Sequence, residues 1–233
     1  MYNIMTVANE SYADFIKLFV NSFFERIDSE HVSGLYIFDT GLSAETKIYL
    51  SCFPKVVLKN TNIQSESTEI HDKGWQLNTY SKTRFLLNLL LEENLPVCMI
   101  DSDCIFLENF EDLIDNSKDF VVCKRDRQGF SKHIGSFFYA SNVNKSVDFI
   151  TKWISNVGRL QVETNLKHCE SPALTKTIME NDYDYQELEE AIVSAVWPNN
   201  KSRVIHLKSD HYAKTIEERL NLPHAKPFKE RYL

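Results

Sequence analysis

Pro96 leads into Val97-Cys98-Met99-Ile100, and that apolar run ends on Asp101-Ser102-Asp103 before the chain turns apolar again at Cys104-Ile105-Phe106-Leu107. A run so short and so apolar reads as a strand buried on both faces, the kind found inside a mostly parallel sheet. It constrains the fold more than any other stretch, because parallel strands need crossover connections that cover both faces of the sheet. Carboxylates at the carboxyl end of such a strand lie where open α/β sheets hold their ligands. Two hard oxygen donors one residue apart suit a divalent cation, Mn²⁺ or Mg²⁺, that also holds phosphate oxygens.

The rest of the chain supplies the crossovers. Asn3 to Ala8 reads as a first strand, and Asn9-Glu10-Ser11 caps a helix carrying Tyr12, Phe15, Phe19 and Phe23 on one stripe. Leu35 to Phe38 is a second strand, Ser43 caps a short helix to Leu50, and Lys55 to Leu58 is a third strand. Asn60 to Gly74 is polar and without period, a length that loops seldom reach without a function. A helix over Leu77 to Glu93 then precedes the aspartate-bearing strand. Asn109 to Asp115 predicts a short helix, Phe120 to Cys123 a strand, Lys124 to Gly129 a charged turn and Ile134 to Ala140 another strand. Val143, Val147, Ile150, Ile154 and Val157 mark one face of a helix. Ser171-Pro172 and the capping box at Asp184-Tyr185-Gln186-Glu187 each predict a helix start. Arg203 to Leu207 is a last strand, followed by a polar tail. Strand and helix alternate, so the expected fold is α/β, a mostly parallel central sheet flanked by helices. All 233 residues fit one domain, 1–233, with residues 1–125 as its first half and 126–233 as its second.

Several function classes drop out. A net charge of −7 argues against nucleic-acid binding through a basic surface. Met1-Tyr2-Asn3-Ile4 lacks the basic and apolar regions of a signal peptide, and no apolar run approaches the roughly 18 residues of a membrane span. The five cysteines have neither metal spacing nor an even count, which fits a reducing, cytoplasmic setting. None of the six glycines forms G-x-G-x-x-G or a P-loop, and G-x-S-x-G is missing. Phosphates bound here must therefore be held by metal and basic side chains.

A D-x-D alone is a weak signal, and other readings of the pair stand beside the metal. Two aspartates at this spacing can also cap the next turn or stand as solvated loop carboxylates, readings that weigh less here than the metal. A phosphatase of the haloacid-dehalogenase type also places D-x-D after an apolar strand, but normally on its first strand, continuing with Thr or Val. Here three strands come first and Cys104 follows.

Ile100 to Leu107 resembles the D-x-D segment of GT-A glycosyltransferases, and the resemblance extends along the chain. Ile4 to Asn9 followed by Tyr12 is similar to the nucleotide-binding first strand of glycogenin-like transferases. Ile37 to Ser43 resembles their second-strand phrase, Ser81 to Leu87 their basic helix, and Gly135 to Ala140 their sugar-site strand. The last reads Ile134-Gly135-Ser136, a departure from the Asn-Ser/Thr-Gly of the family. Val204-Ile205-His206 is similar to their late strand, whose histidine completes the metal site.

The resemblance implies a GT-A (Rossmann-like) fold and transfer of a sugar from a nucleoside-diphosphate donor, UDP-sugar favoured, to a glycan, lipid-linked or protein acceptor. It implies Asp101, Asp103 and His206 as metal ligands, although a histidine ending an apolar strand is as readily satisfied by a backbone carbonyl. Donor contacts are expected from Ala8, Asn9, Tyr12, Asp39, Asp101, Ser102, Gly135, Ser136, Lys208 and Lys214. Lys82 and Arg84 sit two apart on one helix and do not share a face. Arg84, with its planar fork, is expected on the diphosphate, and Lys82 remains the alternative. Asp184 and Gln186 resemble the acid–glutamine pair near the acceptor, and the capping-box reading of Asp184 stands equally. Both inverting and retaining chemistry fit; the glycogenin-like resemblance favours retention. A catalytically silent nucleotide-sugar-binding module is the non-enzyme alternative. The tail from Lys208, with Tyr212, Phe228 and Tyr232 among basic residues, suggests peripheral contact with the inner face of a membrane.

Overall fold

The computed structural model describes residues 1–28, 30–65, 73–126, 129–164, 168–194, 197–209 and 213–233. The first half runs β1 (Tyr2–Ala8), α1 (Ala13–Arg26), β2 (Val32–Asp39), α2 (Ala44–Ser51), β3 (Val56–Asn60), α3 (Lys73–Glu93) and β4 (Val97–Ile100). β5 (Cys104–Phe106) leaves the main sheet, and β6 (Phe120–Lys124), β7 (His133–Ala140) and α4 (Val143–Thr164) follow. The chain ends with α5 (Glu170–Met179), β8 (Tyr185–Glu189), β9 (Val193–Ser194), β10 (Val204–His206), α6 (Ile216–Leu220) and α7 (Lys226–Tyr232).

Seven strands form the main sheet in the order β3-β2-β1-β4-β7-β6-β8. All neighbours in it are parallel except for β7, which runs antiparallel to both β4 and β6. A second sheet, β5-β10-β9, pairs β5 antiparallel with β10. Every residue of β4 is buried, as its unbroken apolar run requires. One face of the main sheet carries Ile4, Ile37, Cys98 and Tyr139 against Ile16, Phe19 and Phe23 of α1. The other carries Met5, Met99 and Phe138 against Leu86 and Leu90 of α3, Phe149 and Trp153 of α4, and Leu174 of α5. On that side Phe120 and Phe149 have ring centroids 4.2 Å apart, and Phe138 lies 5.6 Å from Trp153. Each such side chain contributes about 1.5–3 kcal/mol on burial.

The α/β architecture matches the alternation read from the sequence, with local differences. Asp184 does not open a helix: Tyr185–Glu189 is strand β8, paired on one side only with β6. An edge strand needs little apolar alternation, and only Leu188 is buried, so the local capping signal lost to sheet pairing. Asn109 to Asp115 holds only a 3-10 turn at Glu111–Leu113. α4 runs through Gly158 to Thr164 rather than stopping near Val157. The polar tail contains two helices, the first opened by a capping box between Thr215 and Glu218. Of the long polar stretch, residues 66–72 lie outside the described residues, as do 127 and 128 of the charged turn and Tyr212 of the tail.

β8 is fastened by charge. The Glu187 carboxylate meets Lys132 Nζ at 2.7 Å and the buried His133 Nε2 at 2.9 Å. Burial works against that carboxylate, but Lys132 and His133 outweigh it and bring it down to about 2. A depressed carboxyl contributes stability above its unfolded-state value, near pH 4.5, and loses it as pH falls through the folded value. Glu187→Gln is therefore expected to be less stable than wild type by about 2 kcal/mol at pH 6, allowing for partial exposure, with the difference closing near pH 2. Urea unfolding at the two pH values measures it, and a difference that persists at pH 2 contradicts this account.

Candidate active site

β1 has β2 on one side and β4 on the other, so the order of strand addition reverses at β1. Such a reversal opens a crevice beyond the carboxyl ends of the two strands. A cleft of about 1370 Å³ occupies it. The end of β1 brings Ala8 and Asn9, and Tyr12 follows on a 3-10 turn. α3 contributes Asn78, Thr79 and Lys82 from one helical face. Beside them lie Gly135 and Ser136 of β7 and the first turn of α5, Glu170-Ser171-Pro172. The loop after β10 and the start of α6 close the other end with Lys208, Lys214 and Arg219.

At the centre, a tight turn aims the two aspartates. Asp101 N–H donates to Ser136 O at 3.1 Å, and Cys104 N–H turns back to Asp101 O at 3.2 Å. β5 then pairs with β10 so that Cys104 faces His206, which brings the imidazole beside Asp103. His206 Nε2 is 3.2 Å from Asp103 Oδ1 and 3.8 Å from Asp101 Oδ2. One ligand atom from each of Asp101, Asp103 and His206 fits within 4.8 Å of the other two. Two carboxylates and an imidazole at that separation form a donor set that fits a divalent first-row cation.

Each aspartate is also held by a cation. Lys82 Nζ contacts Asp101 Oδ1 at 2.6 Å and Glu170 Oε1 at 2.8 Å, and donates to Gly135 O at 3.0 Å. Arg219 Nη1 lies 3.2 Å from Asp103 Oδ2. Burial works against the Lys82 ammonium, but Asp101 and Glu170 outweigh it and hold it charged beyond the ordinary lysine range. Burial likewise opposes the Asp103 carboxylate, yet His206 and Arg219 hold its carboxyl well below the usual range. Burial pushes Glu170 up to about 7, against the pull of Lys82. Tyr12 rises to about 12, through burial and the charge of Asp103.

The sequence profile of the nucleotide-diphospho-sugar transferase family matches residues 42–216, more than half of the chain. The chain belongs to that family. Comparison with curated proteins gives no match. Among solved structures, LgtC, a galactosyltransferase in complex with donor and acceptor sugar analogues, superposes with a TM-score of 0.64 at 10% identity. That superposition covers 98% of this chain and 94% of LgtC. An active-site mutant of LgtC gives 0.65 at 11% identity, with the same coverage. The bifunctional glycosyltransferase WbbM gives 0.62 at 13% identity, covering 99% of this chain and 51% of WbbM. This chain thus spans about half of WbbM. Its fold is that of these GT-A glycosyltransferases.

Within this member of the family the cleft collects Ala8, Asn9, Tyr12, Lys82, Asp101, Ser102, Asp103, Gly135, Ser136, His206, Lys208 and Lys214. Four other residues expected there are elsewhere. Arg84 is exposed, on a solvent stripe with Asn88 and Leu91, because it is turned about 200° around α3 from Lys82. Asp39 accepts from the N–H groups of Gly41 and Leu42 and pairs with Lys47 at 2.6 Å, so it closes the turn after β2. Asp184 is exposed and pairs with Lys118 at 2.9 Å. Gln186 is spent on the 3-10 turn, donating to Leu113 O and accepting from Asp115 N–H.

Three cleft residues had no place in the sequence reading. Glu170 looks in sequence like an acid complementing a helix start. Its carboxyl needs the bare backbone at Gly135, where an added Cβ would come within 2.6 Å of Glu170 Cδ. Arg125 reads as part of a charged turn, and it is buried with Nη1 donating to Ser131 O at 2.7 Å. Arg219 lies in the stretch that reads as a polar tail, and nothing local ties it to Asp103. Thr6 Oγ1, Asn9 Oδ1, Asn78 Oδ1 and Ser136 Oγ are buried on cleft residues with no hydrogen-bond partner among the described residues. Unmet polar groups of this kind are costly, and a polar ligand in the cleft offsets the cost.

Proposed function

We propose that the chain transfers a sugar from a nucleoside-diphosphate donor, UDP-sugar favoured, to a hydroxyl of a glycan or lipid-linked glycan. The observation that carries this reading is the convergence of Asp101, Asp103 and His206 at the strand-order reversal, flanked by basic side chains. Asp101, Asp103 and His206 would hold Mn²⁺ or Mg²⁺, with the imidazole favouring Mn²⁺. When bound, the ion offsets the negative charge that grows on the leaving diphosphate.

The chain's own residues do the rest. Lys208 and Lys214 line the cleft on the far side of His206 and add positive charge for the phosphates. Asn9 and Tyr12, at the end of β1, meet the nucleobase and ribose. Glu170, fixed by Lys82 beside Gly135 and Ser136, accepts hydrogen bonds from sugar hydroxyls and orients the ring. Transfer proceeds with retention, a departing phosphate oxygen taking the acceptor proton. Residues 1–125 form the nucleotide half and 126–233 the sugar and acceptor half. In support, Asn9, Tyr12 and Asp101 come from the first, and Gly135, Ser136 and Glu170 from the second.

Among the described residues no helix is long and apolar enough to cross a membrane. A lipid-linked acceptor would be met from the cytoplasmic side by the basic residues Lys226, Lys229 and Arg231 of α7, while Phe228 and Tyr232 pack inward against the cluster of Phe15 and Leu220.

A ligand that binds only the folded chain raises its melting temperature. UDP with Mn²⁺ at about 100 times the dissociation constant adds about 2.7 kcal/mol, or roughly 5–10 °C for a chain of this size. Differential scanning fluorimetry with UDP, GDP and the other nucleoside diphosphates tests it. No shift with any of them in the presence of metal contradicts the proposal.

A further inference from the structure

Lys82 and Arg219 both touch the aspartates of the metal site from behind. Lys82 takes Asp101 Oδ1 and Arg219 takes Asp103 Oδ2, so each carboxylate keeps one oxygen towards His206. The two cations differ in how they are fixed. Lys82 is shared with Glu170. Arg219 is only 4% exposed, donates to Leu207 O at 2.8 Å, and lies over the Phe15 ring at 4.5 Å and the Tyr12 ring at 5.7 Å. The capping box of Thr215 and Glu218 anchors the helix that carries it.

The charge balance of the site follows from these contacts. Asp101 and Asp103 with Lys82 and Arg219 are neutral as a set. With Glu170 ionised the five groups carry a single negative charge, and Arg125 and Lys208 on the same cleft reverse its sign. A free divalent cation gains little from such a set. A nucleoside diphosphate, strongly anionic, is attracted to it and supplies the charge that the cation lacks. Each ligand then improves the site for the other by the same factor.

We propose that Arg219 is a positioning residue that neutralises Asp103, so that the divalent cation is held weakly alone and tightly together with the nucleoside diphosphate. This rests on the function proposed above. Arg219 orients Asp103 and sets the charge seen by the ion, without touching the substrate.

The test is a Mn²⁺ titration followed by the electron paramagnetic resonance signal of the free ion, with and without UDP. In the wild-type chain UDP tightens Mn²⁺ binding by about 30-fold, within the usual range of coupling between sites. Arg219→Met binds Mn²⁺ alone about 10-fold more tightly than wild type, and the effect of UDP shrinks by about the same factor. Arg219→Lys keeps the charge and stays near wild type. A purely structural role predicts weaker Mn²⁺ binding in Arg219→Met, the opposite sign. Equal Mn²⁺ affinity with and without UDP in the wild type overturns the inference and needs no variant to fold. So does a folded Arg219→Met whose affinity for Mn²⁺ alone is unchanged or weaker. A wild-type chain that takes up no Mn²⁺ even with UDP overturns the proposed function itself.

Discussion

Asp103→Asn is expected to lower turnover of a nucleotide-sugar by about 10³-fold or more, equivalent to at least about 4 kcal/mol of transition-state stabilisation. Both carboxylate oxygens of Asp103 are engaged. Its Oδ1 faces His206 at 3.2 Å and its Oδ2 faces Arg219 at 3.2 Å. Asparagine keeps the shape but loses the charge, and its amide nitrogen turned towards either partner sets one donor against another. The cation site then has one carboxylate, and Arg219 is a buried charge without its counter-charge. The thermal shift with UDP and Mn²⁺ is expected to vanish together with turnover. A variant that keeps both removes Asp103 from the site.

Lys82→Met is expected to damage stability as well as activity, at about 3–5 kcal/mol in urea unfolding, the usual cost of removing one partner from a buried ion pair. Lys82 is buried and ties Asp101, Glu170 and the Gly135 carbonyl together from three different elements. Methionine fills a similar volume but leaves two carboxylates facing each other across an apolar gap. Arg84→Met, two residues along the same helix, is expected within about 0.5 kcal/mol of wild type because the side chain is exposed. Equal behaviour of the two variants contradicts the helix phase that separates them.

That pair shows where sequence reasoning held and where it failed. The strand before Asp101 was legible because four consecutive apolar residues ending on carboxylates have few other uses in a soluble fold. The late strand ending at His206 was legible for the same reason. Side-chain chemistry favours Arg84, whereas the phase of α3 puts Lys82 in the cleft: Lys82 shares its face with Leu86 and Leu89, Arg84 with Asn88 and Leu91. The helix start expected at Asp184 is not formed because a capping signal is local and edge-strand pairing with β6 is not. Arg219 and Asp103 are 116 residues apart, and no spacing rule brings them together. Glu170 needed the space left by Gly135, which only the packed sheet reveals.

Asp101, Asp103 and His206 are proposed to serve sugar transfer from a nucleoside-diphosphate donor. The most direct measurement is release of nucleoside diphosphate from a panel of nucleotide-sugars, with Mn²⁺ and with the metal chelated, in wild type and Asp103→Asn. At least one donor, a UDP-sugar first, is expected to be turned over by the wild type with Mn²⁺, and not after chelation or in the variant. Metal-independent release that Asp103→Asn retains, or no release from any donor with Mn²⁺ present, would contradict the account.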